Sequence, residues 1–221
     1  MTAQIVKPIK DSNILEEVEN SLRKDFETGE RNYAIFQTGK ATLLRVSDVL
    51  ALKKSDVFDE DGRVKKNAYI RDIKTKKRNV LYLRPVEHDL ENYYQYLKQY
   101  QKDHKKIKVF TSEWLFPSFT HPDRHINRRR YYAIMYAVGQ KLGINYLGTH
   151  TMRKTGAYRV YEQSNHNIAL VMRLLNHSSE KVTLEYLGLD QEARENIRPN
   201  SLAAEFLNAY LDEVGNKPME M

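Results

Sequence analysis

Ala68-Tyr-Ile-Arg-Asp-Ile-Lys-Thr-Lys-Lys-Arg-Asn-Val-Leu-Tyr-Leu83 decides the fold class of this 221-residue chain. The runs Ala68–Ile73 and Asn79–Leu83 are rich in β-branched and aromatic residues, and the Lys-Thr-Lys-Lys between them reads as a turn. Upstream, Asp56-Val-Phe58 followed by the turn Asp59-Glu-Asp-Gly62 reads as a further strand, and Pro85 closes the unit. The expectation is a small three-stranded antiparallel sheet.

Outward from this hairpin the spacing turns helical. Asn13 with Glu16 resembles a capping box, for a helix reaching about Phe26 with Gly29 as its terminal cap. A second helix starts near Arg31. Ala41–Lys53 places Leu43, Val46, Val49 and Leu50 at roughly helical spacing, interrupted by Arg45 and Asp48. Further helices are expected at about Glu87–Lys102, Asn127–Leu142, Met152–Gln163, Asn167–Leu175 and Val182–Leu187, with Trp114-Leu-Phe-Pro117 as a short apolar anchor. Leu202, Ala203, Phe206, Tyr210 and Val214 outline an amphipathic helix in an acidic tail, set off by Arg198-Pro-Asn. The class is therefore α+β, mainly α. The divisions are a lead-in and helix over 1–30, a main unit over 31–190, and the tail over 191–221.

Net charge is +7, and the charge is unevenly spread. From Arg63 to Arg84 nine basic residues face a single acid, Asp72, and a second basic stretch ends in Arg128-Arg129-Arg130. A basic middle between acidic ends favours a polyanionic partner such as nucleic acid. Without cysteine, disulfides and thiolate metal sites are excluded. No segment approaches the ~20 apolar residues of a membrane span and no signal peptide is visible, so a cytoplasmic protein is expected.

Several residues carry chemistry. His150 and Arg153 share a face at a helix start, where an anion is favoured; taken alone, a capping His and a surface ion pair are the more ordinary account of them. Arg45 stands in an apolar segment, as a phosphate fork or as the partner of Asp48. Lys74 sits at the hairpin tip, free to reach into a cleft or to stay in solvent. His177 reads as a site group or as a helix cap. Tyr186 is one of fifteen tyrosines, and a phenol with a pKa near 10 needs a base and nearby cations to attack a phosphodiester.

Taken as a set and in order, these residues resemble the tyrosine recombinase (phage integrase) family. R-V-S-D-V-L-A-L-K (Arg45–Lys53) is similar to its first arginine box, and I-K-T-K-K-R-N-V-L-Y-L (Ile73–Leu83) to its lysine hairpin. T-H-T-M-R-K-T (Thr149–Thr155) resembles its H-x-x-R box, and L-L-N-H-S-S-E-K-V-T-L-E-Y-L (Leu174–Leu187) its histidine–tyrosine box. The match covers roughly residues 30–190.

The resemblance implies a helical catalytic domain over 31–190 and assigns six catalytic residues. Tyr186 would be the nucleophile, forming a 3′-phosphotyrosyl link to DNA and releasing a 5′-hydroxyl. Arg45 and Arg153 would hold the non-bridging oxygens, Lys74 would protonate the leaving oxygen, His150 would assist proton transfer, and His177 would bind the phosphate, with Asp48 in support. It implies no metal and no other cofactor, double-stranded DNA as partner, and a homo-oligomer, a tetrameric synapse, on that DNA, with the tail helix docking on a neighbour or on its own core. Lys76, Lys77, Arg78, Arg128, Arg129 and Arg130 would meet phosphates. The activity implied is site-specific recombination or integration of a mobile element. The rivals are a catalytically silent DNA-binding regulator of the same fold and a type IB topoisomerase.

The sequence departs from the family pattern in three places. Leu44 replaces the glycine common before the first arginine, and Asn176 replaces another glycine. About forty residues precede Arg45, too few for the usual N-terminal core-binding domain; it is expected to be absent from this sequence, which is either a naturally short recombinase or the catalytic half of a longer element.

Overall fold

The computed structural model describes residues 6–189. The expected tail helix and the rest of the acidic tail lie outside them. After an extended lead-in comes α1 (Ser12–Lys24), capped by Asp11, whose carboxylate accepts from the Asn13 and Ile14 amides. The cap therefore lies two residues before the expected Asn13, because an ionised oxygen there satisfies the free first-turn amides. This start sets Leu15, Val18 and Leu22 on one buried face. Gly29 does not close α1; it opens α2 (Gly29–Thr42).

α2 is the central helix, buried from Ala34 to Gly39. It crosses the later helix α7 (Thr151–Gln163) closely enough that a side chain on Gly39 would strike the Met152 thioether, and one on Gly156 the Lys40 carbonyl. Two glycines thus set the distance between the helix leading to Arg45 and the helix carrying Arg153.

Ala41–Lys53 is not one helix. α2 ends at Leu43, which is left-handed (φ 55°, ψ 25°), and α3 (Val46–Leu50) and α4 (Lys54–Val57) follow separately. An unbroken helix would drive Arg45 or Asp48 into apolar packing. The break sends Leu44 and Val46 to one core and Leu43 to another, and it leaves Arg45 at the N-cap of α3. A left-handed leucine costs ~1–2 kcal/mol, offset by that burial. Leu44, in place of the family's glycine, is buried and has no positive φ. Asn176, in place of the other glycine, is left-handed (φ 57°), the conformation that asparagine tolerates best after glycine.

The sheet has two strands, not three. β1 (Asn67–Arg71) pairs antiparallel with β2 (Arg78–Tyr82), with Tyr69 opposite Val80. Asp56 and Val57 are helical, because the Asp56 carboxylate accepts from the Lys53 amide and turns the chain; only Phe58 bridges Val64. α5 (Glu87–Asp103), α6 (Arg128–Leu142), α7, α8 (Ile168–Leu175) and α9 (Glu180–Leu187) complete the described chain close to the expected positions. No described helix is long and apolar enough to cross a membrane.

Two apolar cores result. The larger joins α1 to α6, the sheet and the Leu115-Phe116 anchor, and it reaches Met152 on α7. The smaller gathers Leu43, Ala157, Val171, Leu175 and Leu187 beneath α8 and α9.

Candidate active site

The residues of the four sequence boxes meet where the two cores adjoin. Arg45 emerges at the α2–α3 break, and its Nη1 lies 3.6 Å from Asp72 Oδ2 at the base of the hairpin turn. Its partner is therefore Asp72, not Asp48. Asp72 also accepts from Thr75 Oγ1 and Asn79 Nδ2, both at 3.2 Å, so one buried carboxylate organises the turn and orients the arginine. Asp48 is used elsewhere: its Oδ1 accepts from the Ile73 amide at 2.7 Å, and its Oδ2 has no hydrogen-bond partner. Burial raises the Asp48 pKa, against the lowering effect of the Ile73 amide, Arg45 and Arg153.

His150 is the N-cap of α7, but its ring makes no capping bond. The Gly148 amide is met instead by Thr151 Oγ1 at 2.8 Å. Burial lowers the His150 pKa, and so do Arg128, Arg153, Lys154 and Arg45, which holds the imidazole neutral and able to accept a proton. Arg153, on the next turn, is 5% exposed and donates from Nη2 to Leu175 O at 3.0 Å, so it is anchored to the end of α8. Burial lowers its pKa too, though a guanidinium keeps its charge.

Past the left-handed Asn176, His177 places its ring edge-to-face on Tyr186, with centroids 5.1 Å apart. Its Nδ1 lies 3.1 Å from Thr183 Oγ1, and its pKa is lowered by burial, Arg153 and Arg45. On α9, the Tyr186 Oη is buried and makes no hydrogen bond of full geometry, but the Arg153 guanidinium lies beside it as a polar partner. Burial raises its pKa, while Arg153 and Arg45 pull it down. A buried phenol beside two guanidinium groups is poised for an incoming anion that brings charge and hydrogen-bond acceptors together.

Lys74 does not join these contacts. It lies exposed in the turn between the strands. Lys76 is left-handed (φ 59°) in the same turn. Lys77 and Arg78 line a cleft of about 400 Å³, shared with Arg45, Arg153 and Arg173. Of the three arginines opening α6, Arg128 acts on His150, whereas Arg130 acts on the buried Arg31. Arg128 and Arg129 border a shallow concavity with Thr149.

Four residues here were not singled out from the sequence. Asp72 counted only as the lone acid of a basic run. Thr183 and Arg173 were unremarked. Lys154 directly follows Arg153, and its half-buried ammonium lies 4.7 Å from the centroid of the Tyr186 ring. Its position one turn after His150 on the same helix was a readable signal.

Comparison with known proteins agrees with this geometry. The sequence model of the phage integrase family matches residues 12–193. A Bacillus subtilis (strain 168) protein named probable integrase/recombinase YoeC is 32% identical over 188 residues, covering 85% of this chain and 92% of that one. Among solved structures, XerH site-specific recombinase bound to palindromic difH substrate, a post-cleavage complex, superposes with TM-score 0.58 at 21% identity, over 87% of this chain and 52% of that one. XerA recombinase superposes with TM-score 0.58 at 18% identity, over 91% and 66%. A lambda integrase dimer bound to a COC′ core site does so with TM-score 0.58 at 14% identity, over 85% and 49%. The chain thus spans about half to two-thirds of these solved proteins and shares the fold of their catalytic domains. On its family match and its Bacillus relative, the chain belongs to the phage integrase family of tyrosine-type DNA recombinases.

Proposed function

We propose that this protein cuts and rejoins double-stranded DNA at specific sites through a 3′-phosphotyrosyl intermediate, serving integration or recombination of a mobile element. The observation that carries this reading is the buried Tyr186 hydroxyl beside Arg153, Arg45 and His177. The DNA-bound state of the XerH and lambda integrase neighbours supports DNA as the partner.

In the proposed step the Tyr186 oxygen attacks the scissile phosphorus and forms an O–P bond as the bond to the 5′-oxygen breaks. The phenol proton passes to His150, whose neutral imidazole suits that role. Lys74 closes down with the hairpin to protonate the departing 5′-oxygen. Arg45 and Arg153 neutralise the non-bridging oxygens as charge builds, in a site where water is scarce. One phosphoester replaces another, so no nucleotide is spent. Rejoining reverses each transfer, with the 5′-hydroxyl of another strand attacking the phosphotyrosine. Lys76, Lys77, Arg78, Arg128, Arg129 and Arg130 hold flanking phosphates. Strand exchange requires several protomers, and we place four in the synapse.

A nicked suicide substrate, from which the cleaved segment diffuses away, tests this proposal. The wild-type protein is expected to leave a covalent protein–DNA adduct and Tyr186→Phe none. Salt-sensitive binding without an adduct on any cognate site would instead identify a silent regulator.

A further inference from the structure

Thr183 is fully buried on α9, one turn before Tyr186, and its hydroxyl touches two atoms. Oγ1 lies 3.1 Å from Ser179 O and 3.1 Å from His177 Nδ1. A hydroxyl has one proton to give. Ser179 O can only accept, as in other helical threonines that bond back one turn. If the proton pointed at Nδ1 instead, two oxygens would face each other at 3.1 Å with nothing between them. Both contacts are satisfied in one arrangement alone: Thr183 donates to Ser179 O and accepts from an Nδ1–H of His177.

We infer that Thr183 is a positioning residue that locks His177 in its Nδ1-protonated tautomer, so that the neutral ring offers a lone pair, not a proton, at Nε2. Resting on the recombinase reading, this bears directly on what His177 can do. A neutral His177 cannot donate to a phosphate oxygen from Nε2. It does so only as the imidazolium, with both nitrogens protonated. Before DNA arrives, burial opposes that second proton, and so do Arg153 on α7 and Arg45 at the head of α3, while the Tyr186 ring packs edge-to-face with the imidazole. An arriving phosphodiester reverses the local charge. His177 therefore takes up its proton with the substrate, and this further cation forms only when there is an anion to hold.

The tautomer is read directly by nitrogen NMR of the imidazoles in the whole protein, without DNA, at a pH where the ring is neutral. His177→Asn identifies the His177 signals. In wild type, Nδ1 is expected in the protonated range and Nε2 in the unprotonated range. Thr183→Val removes the acceptor and should shift His177 toward a mixture of tautomers, and Thr183→Ser should restore the wild-type pattern. A wild-type spectrum with the proton on Nε2, or an unchanged tautomer in Thr183→Val, overturns the inference; the first needs no variant to fold. Because no DNA is present, the result is independent of recombination. If the tautomer is found while no adduct forms on DNA, the functional reading fails and the role of Thr183 stands.

Discussion

Asp48 on α3 accepts a 2.7 Å hydrogen bond from the amide of Ile73, the residue before Lys74. One carboxylate therefore ties the arginine box to the root of the lysine turn. Asp48→Ala leaves the Ile73 amide without this acceptor, at ~1–3 kcal/mol, and frees the turn. Cleavage of a suicide substrate is expected to slow at least tenfold with DNA affinity little changed, and the Ile73 amide should exchange with solvent faster. Asp48→Asn keeps an oxygen acceptor and should retain most activity.

The Tyr186 hydroxyl is buried, makes no hydrogen bond of full geometry, and has only the Arg153 guanidinium beside it as a polar partner. A buried hydroxyl so weakly satisfied adds little to stability. Tyr186→Phe is thus expected to be inactive yet to melt at the same temperature as wild type. A clear fall in Tm would show that the hydroxyl contributes to the fold.

Lys154 lies over the Tyr186 ring. A cation on an aromatic face is worth ~0.5–2 kcal/mol, and more as the ring oxygen gains negative charge. Lys154→Met is expected to slow adduct formation by about 3- to 30-fold, and Lys154→Arg to recover most of it. Equal loss in both variants would separate the effect from the cation.

Burial lowers the folded-state pKa of both His150 and His177 below the usual 6.5. Between the two values the unfolded chain binds more protons than the folded one. This contribution to stability is complete above pH ~6.5 and declines as pH falls through the window below it. Thermal melts of wild type should show that decline, and His150→Gln should reduce it. A pH-independent difference between the two would contradict neutral burial of His150.

At the α2–α7 crossing, a Cβ on Gly156 would collide with the Lys40 carbonyl. Gly156→Ala is expected to destabilise by ~1–3 kcal/mol, seen as a lower denaturation midpoint, and to impair cleavage by displacing Arg153.

The sequence disclosed most of the helices because their apolar spacing is local. It also pointed to Arg45, His150, Arg153, His177 and Tyr186, which the fold brings near one another, whereas Lys74 stays exposed in its turn. It misread the segment around Arg45 because six apolar residues there serve two different cores, and a periodic pattern cannot say which. Asp56 stands in a strand-like run by residue type, but its carboxylate closes a helical turn at Lys53. Asp72 and Thr183 stayed hidden because their importance lies in which atoms they touch across the fold. The pairing of Arg45 with Asp72 rather than Asp48 could be seen only once the hairpin was in place.

The division into two cores has a mechanical consequence. Arg45 and Arg153 border the larger core, through Val46 and Met152, whereas Tyr186 belongs to the smaller cluster around Leu175 and Leu187. A small cluster opens at lower free energy than the main body, and amides of α9 are accordingly expected to exchange before those of α2. On the proposed reaction, the nucleophile becomes chained to DNA and must bear the pull of the strand it holds. Mounted in the smaller cluster, to which Arg153 is tied through Leu175 O, Tyr186 is expected to yield to that pull while Arg45 stays in register with the phosphate.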